Sequence, residues 1–151
     1  MNGILYFRLK QHRTRQSIAD RTGFCVTTIR DMEQESEHNR PCRYYMSLAE
    51  VFGVTVEALI SDYSETLLLP GDRYVREDAS CHPGNVLGNF KREQHLNFDQ
   101  MAVLLGLAGR ECARIACRTP NANPEYVSKL AKLQGITPKE FERRYRGGDA
   151  A

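Results

Sequence analysis

The residues with the plainest chemical use fall in two runs: Val26, Thr27, Thr28, Arg30 and Asp31 within VTTIRD, and Arg110, Arg114 and Arg118 at four-residue spacing further along. Threonine hydroxyls exchange hydrogen bonds with base edges or phosphates, and Val26 is suited to pack on a thymine methyl. Arg30 can reach a guanine or a phosphate, while Asp31 can accept from a cytosine amine or orient a neighbouring arginine. Arginines four apart share one helix face, and arginine reads guanine through a bidentate contact. This is the chemistry of contact with double-stranded DNA. The residues of bond-making chemistry do not assemble: there is no phosphate-binding glycine loop and no G-x-S-x-G elbow, and His12, His38, His82 and His95 are scattered among polar neighbours. No enzyme activity, cofactor or small-molecule ligand is therefore expected.

Such residues must be carried on a short helix held at a fixed angle. Ile29 and Met32 are three apart and Ala19 precedes a turn glycine, so these three are expected to fix that angle from the core. Apolar period and punctuation predict five helices in this region, over 4–12, 15–21, 26–34, 42–52 and 56–62. Thr14 is placed to cap the second helix with Ser17 at its third position, and Gly23 to end it in the left-handed conformation. Pro41 stands at the start of the fourth, where a missing amide is tolerated.

The same pattern occurs again. Shifted by 83 residues, RQSIADRTGFCVTTIRDME answers to FDQMAVLLGLAGRECARIA, placing Ala19 on Ala102, Gly23 on Gly106, Ile29 on Cys112 and Met32 on Ile115. At an offset of 82, SLAEVFGVT answers to KLAKLQGIT. Asn97 and Gln100 form a stronger cap pattern than Thr14 and Ser17, and Pro124 repeats Pro41. Between the copies, SETLLLPGDRYVREDASCHPG breaks the helical period, with a short hairpin expected about Pro70 and Gly71. The expected fold is all-α: a five-helix domain over 1–64, an irregular linker over 65–84, a second five-helix domain over 85–146 and a tail over 147–151.

Composition supports a globular protein, with 41% hydrophobic and 26% charged residues. Charge is uneven: residues 1–64 hold 8 Lys or Arg against 8 Asp or Glu, whereas residues 85–146 hold 11 against 6. The second half thus fits a polyanionic partner. No stretch approaches the roughly 18 apolar residues of a membrane span, and the start of the chain has no long apolar signal core, so a cytoplasmic location without a membrane partner is expected. The five cysteines, Cys25, Cys42, Cys81, Cys112 and Cys117, show no C-x-x-C spacing. Reduced thiols are expected rather than a disulfide framework, and the grouping of Cys81, His82, Cys112 and Cys117 matches no structural zinc spacing, so no metal is expected.

Residues 4–60, through ILYFRLKQH, IADRTGFCVTTIRDME and RPCRYYMSLAEVFGVTVEALI, resemble the lambda repressor and Cro-like (Xre-type) helix-turn-helix family. The resemblance implies two tandem lambda-repressor-like helix-turn-helix domains and a sequence-specific DNA-binding transcriptional regulator of the prokaryotic or phage repressor kind. In that family the second helix of the motif enters the major groove while the first crosses the backbone. It also implies a structural ion pair between Arg8 and Glu33. Arg15 stands where a phosphate-contacting Gln is usual, Arg13 replaces the usual leucine, and Cys25 replaces a Ser or Thr cap. Arg40 and Arg43, beyond the polar loop QESEHNR, are expected to grip the DNA backbone.

The second copy resembles the family more faintly. Lys91 stands at the place of Arg8, and at the same offset Ala116 replaces the acidic partner. Gly109, placed at the start of the reading helix, lowers its helix preference by about 1 kcal/mol. Arg110 and Arg114 nevertheless match base-contacting positions of the family, with Arg118 close behind. The alternative is an adaptor or dimeric regulator in which one copy binds DNA and the other makes protein contacts. Phe141 and Tyr145, four apart on the last helix, would supply a homodimer stripe, or else close their own core.

Overall fold

The computed structural model describes residues 1–71 and 81–146. Among these the chain is helical, with ten α-helices and, in place of strands, a single isolated bridge between Asn2 and Asp62. It divides into two compact units, Met1–Leu68 and Leu69–Ala151. Among the described residues no helix is long and apolar enough to cross a membrane.

The first unit holds α1 (Gly3–Lys10), α2 (Arg15–Thr22), α3 (Val26–Gln34), α4 (Cys42–Phe52) and α5 (Val56–Leu59). Helices this short are marginal alone in water, so packing must hold them. Each contributes at least one fully buried aliphatic side chain: Ile4 and Leu9 from α1, then Ile18, Ile29, Leu48 and Leu59. Burying each such side chain is worth roughly 1.5–3 kcal/mol. Met32, Tyr45 and Phe52 complete the core.

Two helices end earlier than their sequence suggests. α1 stops at Lys10 because His12 turns into the left-handed region at φ 54°, with Gln11 donating back to Phe7 and His12 to Leu9. α5 stops at Leu59 because the chain is drawn back to its own beginning, where the Tyr63 N–H donates to the Met1 carbonyl at 2.7 Å. Glu65–Leu68, expected as linker, forms a 3-10 turn with Leu68 fully buried, and it belongs to the first unit. The hairpin expected about Pro70 and Gly71 runs into residues 72–80, which lie outside the described residues, as do residues 147–151 of the expected tail.

The second unit holds α6 (Val86–Glu93), α7 (Phe98–Leu105), α8 (Arg110–Arg118), α9 (Pro124–Gln134) and α10 (Pro138–Arg144). Asn97 and Gln100 complete a capping box at α7, and Pro124 and Pro138 each begin a helix where no amide partner is needed. Phe141 and Tyr145 are buried against Phe90, with ring centroids 5.5 and 5.2 Å from it. The self-association stripe considered for these two rings is therefore closed within the unit's own core.

Candidate nucleic-acid interface

The exposed face of α3 is set by its neighbours. Thr14 caps α2 by accepting from the Ser17 N–H at 3.1 Å, and Gly23 ends it at φ +79°, where its N–H reaches the Ala19 carbonyl at 2.8 Å. Phe24 then packs on Tyr44 of α4 with centroids 4.8 Å apart, which anchors the turn. α3 turns Ile29, Met32 and Glu33 inward, leaving Val26, Thr27, Arg30 and Asp31 exposed and Thr28 half-buried. Cys25 precedes α3 in extended backbone, and its side chain makes no capping hydrogen bond. The first amides of α3 thus point outward at the positive end of a helix, a place suited to an anion.

Glu33 fixes α3 against both helices before it. Its carboxylate accepts from Arg8 Nε at 2.8 Å and Arg8 Nη2 at 3.0 Å, with side-chain exposures of only 6% for Arg8 and 1% for Glu33. The remaining Arg8 nitrogen donates to the Arg13 carbonyl at 3.3 Å. Arg15, expected at a phosphate, directs its Nε to Glu33 at 3.1 Å while the rest of its side chain stays partly exposed. Its first role is therefore to neutralise Glu33 from α2.

The other basic residues of this unit are differently engaged. Arg40 pairs with Glu35 at 2.8 Å and lies 5.9 Å from the Tyr44 ring centroid. The Glu35 hydrogen bond holds the Arg40 guanidinium above even its usual range, so it stays charged, with that charge engaged by the Glu35 carboxylate. Arg43 is exposed, with its guanidinium 5.2 Å from the Tyr44 ring centroid. Arg30 is exposed near the middle of α3.

Residues that sequence reasoning missed clamp the far end of α3. The Asn2 side chain accepts from the Leu5 N–H at 3.1 Å to cap α1, while its amide donates to the Met32 carbonyl at 2.7 Å and to that of Glu35 at 3.3 Å. Asn85 repeats this in the second unit, accepting from the Leu87 N–H at 2.9 Å and donating to the Ala116 and Thr119 carbonyls, each at 2.9 Å. The signal was present: an asparagine stands directly before the first helix of each unit, 83 residues apart.

The second unit departs in register. Between Gly106 and α8 stand Leu107, Ala108 and Gly109, one residue more than the Phe24 and Cys25 that separate Gly23 from α3. The offset across this helix is consequently 84, and one residue turns a helix by about 100°. Cys112 and Ile115, expected in the core opposite Ile29 and Met32, are exposed, Ile115 by 46%. Ala113 and Cys117 are the buried residues of α8. Cys117, not Ala116, holds the place of Glu33. Gly109 precedes the helix in extended backbone, so the helix-interior penalty expected for it does not apply.

In this register Arg110 matches Val26, Arg114 matches Arg30 and Arg118 matches Gln34. Arg110 and Arg118 are exposed, with Asp99 3.8 Å from Arg110. Arg114 pairs with Glu111 one turn back, and that hydrogen bond, reinforced by the charges of Arg118 and Arg110, holds the Glu111 carboxyl below the usual carboxylate range. The outer face of α8 thus carries an acid and an exposed isoleucine among its arginines. Beside it a shallow hollow is lined by Cys112, Ile115, Ala116, Pro124 and Tyr126. Among the described residues no group of three or more His, Cys, Asp or Glu is placed to hold a metal ion.

No protein-family model matches the chain, and no curated protein or solved structure matches it.

Proposed function

We propose that this protein is a sequence-specific double-stranded DNA-binding regulator of the helix-turn-helix kind, acting as a transcriptional repressor, with α3 as its base-reading helix. The observation that carries the reading is the contrast between the two sides of α3. Its inner side is locked by Ile29, Met32 and the Glu33 tie to α1 and α2, while its outer side offers Thr27 in the first turn and Arg30 and Asp31 at its middle. A rigidly held helix with short polar side chains at its start fits base-edge contact in the major groove. Arg43, and the exposed part of Arg15, suit phosphate contact beside it.

The second unit adds charge more than base reading. Arg110 and Arg118 suit the phosphate backbone, whereas Arg114 is engaged by Glu111. A second reading, in which this unit contacts protein, is favoured by the exposure of Ile115 and the presence of Glu111 on the same face.

Selection from a pool of random duplexes with the full chain tests the proposal. Enrichment of a defined site, lost at high salt, is the expected result; recovery of unselected sequence would remove base reading. Replacing Arg110, Arg114 and Arg118 together by alanine separates the two readings of the second unit. A shorter footprint and a shallower salt dependence would show DNA contact, and an unchanged footprint would favour the protein partner.

A further inference from the structure

We propose that Cys81 and Cys117 are an oxidisable dithiol that closes to a disulfide inside the second unit, tying the segment before α6 to the last turn of α8. The proposal is independent of what the outer face of α8 binds.

Several contacts bring the pair together. Cys81 and Cys117 both border Gly88 of α6. The His82 N–H donates to the Cys117 carbonyl at 2.9 Å, which fixes the segment carrying Cys81 along the end of α8. The space between them exists because residue 88 is glycine. A Cβ there would lie 3.0 Å from Cys81 Cβ, 3.3 Å from its sulfur and 3.8 Å from Cys117 Cβ. Contacts this close between non-glycine side chains would push Cys81 away.

The two sulfurs are unequal in the way a sequential oxidation requires. Cys81 is half-buried and Cys117 fully buried, so an oxidant reaches Cys81 first. The hydrogen bonding with Cys81, and then burial, push the Cys117 thiol far above the usual thiol range, which fits the more accessible Cys81 reacting first. Buried Lys91 acts in the opposite direction on Cys117, its positive charge favouring a thiolate at this place.

With hydrogen peroxide as oxidant the chemistry balances. The Cys81 thiolate attacks one peroxide oxygen, the O–O bond breaks, and the departing hydroxide takes up the proton that Cys81 released, forming water and a sulfenic acid. The Cys117 sulfur then attacks Cys81, the S–O bond breaks, and the Cys117 proton leaves with the hydroxyl as a second water. Two thiols lose two electrons and two protons. Cys25, Cys42 and Cys112 are exposed.

Peptide mapping of the full chain tests this. The reduced protein is treated with hydrogen peroxide, alkylated, and digested without reductant. The expected product is a Cys81–Cys117 linked peptide pair, two hydrogens lighter than its parts and released by dithiothreitol, with both sites lost to alkylation. In a Cys81→Ser chain that keeps its helical circular dichroism, Cys117 stays alkylatable only after unfolding and is not oxidised at the same dose. Finding both cysteines reduced after peroxide has oxidised Cys25, Cys42 and Cys112 overturns the proposal. Cys81 linked between chains, or Cys117 oxidised equally in the variant, also overturns it. The wild-type map decides alone if the variant fails to fold.

Discussion

Lys91 holds in the second unit the place that Arg8 holds in the first: each is the sixth residue of its unit's first helix, and each is buried. Their surroundings have been exchanged wholesale. Arg8 meets Glu33 and, through it, Arg15, whereas Lys91 lies 4.6 Å from the ring centroid of Phe98, which stands where Arg15 does, with Cys117 in the place of Glu33. One three-helix junction is closed by charge-assisted hydrogen bonds and the other by a cation over an aromatic face beside a thiol.

The first junction should be sensitive to geometry as well as charge. Glu33→Gln leaves Arg8 buried without its counter-charge and is expected to destabilise the first unit by about 3–5 kcal/mol. Arg8→Lys keeps the charge yet forfeits the two-nitrogen grip on Glu33 and the bond to the Arg13 carbonyl, so it too should lower stability. Urea unfolding followed by circular dichroism measures both. A wild-type midpoint for Glu33→Gln would show that the pair contributes nothing net.

Asn85 is fully buried and serves two helices at once, capping α6 and satisfying two carbonyls at the end of α8. Asn85→Ala removes all of these and should destabilise the second unit by about 2 kcal/mol, the sum of a lost cap and two newly unpaired, partly buried carbonyl contacts. Asn85→Asp retains the cap but sets a carboxylate against carbonyl oxygens, and should be no better than alanine. Full stability of the aspartate variant would mean that the cap alone matters.

What the sequence conveyed and what it concealed divide along physical lines. Caps and glycine ends are local, so Thr14, Gly23, Asn97 and Gly106 declare helix boundaries that the structure shares. The face of α8 is a non-local matter. With Cys112, Ala113, Ile115, Ala116 and Cys117 all small or apolar, two inward faces satisfy the helical period equally, and the extra turn residue before Arg110 selects the one carrying Ala113 and Cys117. The engagement of Arg15 and Arg40 by Glu33 and Glu35 was likewise hidden, because a basic side chain looks the same in sequence whether or not a carboxylate awaits it.

On DNA, the exposed residues of α3 should separate by kind of loss. Thr27→Ala and Arg30→Ala are each expected to reduce discrimination between the selected site and its variants by roughly 1–3 kcal/mol for a lost base contact. Arg43→Ala should weaken binding to every duplex alike and flatten its salt dependence. Arg40→Ala, because Glu35 already engages that side chain, should do less than Arg43→Ala. Titrations of cognate and random duplex at two salt concentrations distinguish these patterns. Equal losses on both duplexes for Thr27 and Arg30 would remove α3 as the base reader.

Cys25 offers a test of how the start of α3 is satisfied. Its backbone has the extended shape of a capping residue, φ −69° and ψ 147°, yet its side chain makes no capping hydrogen bond, and it is exposed. A serine hydroxyl in that position can accept from an amide in the first turn of α3. Cys25→Ser is therefore expected to stabilise the first unit by about 1 kcal/mol, read as a higher urea midpoint with an unchanged slope. The same hydroxyl would occupy an amide that an approaching phosphate could otherwise use, so DNA affinity should stay level or fall slightly while stability rises. A gain in both would place the phosphate contact elsewhere than at the start of this helix.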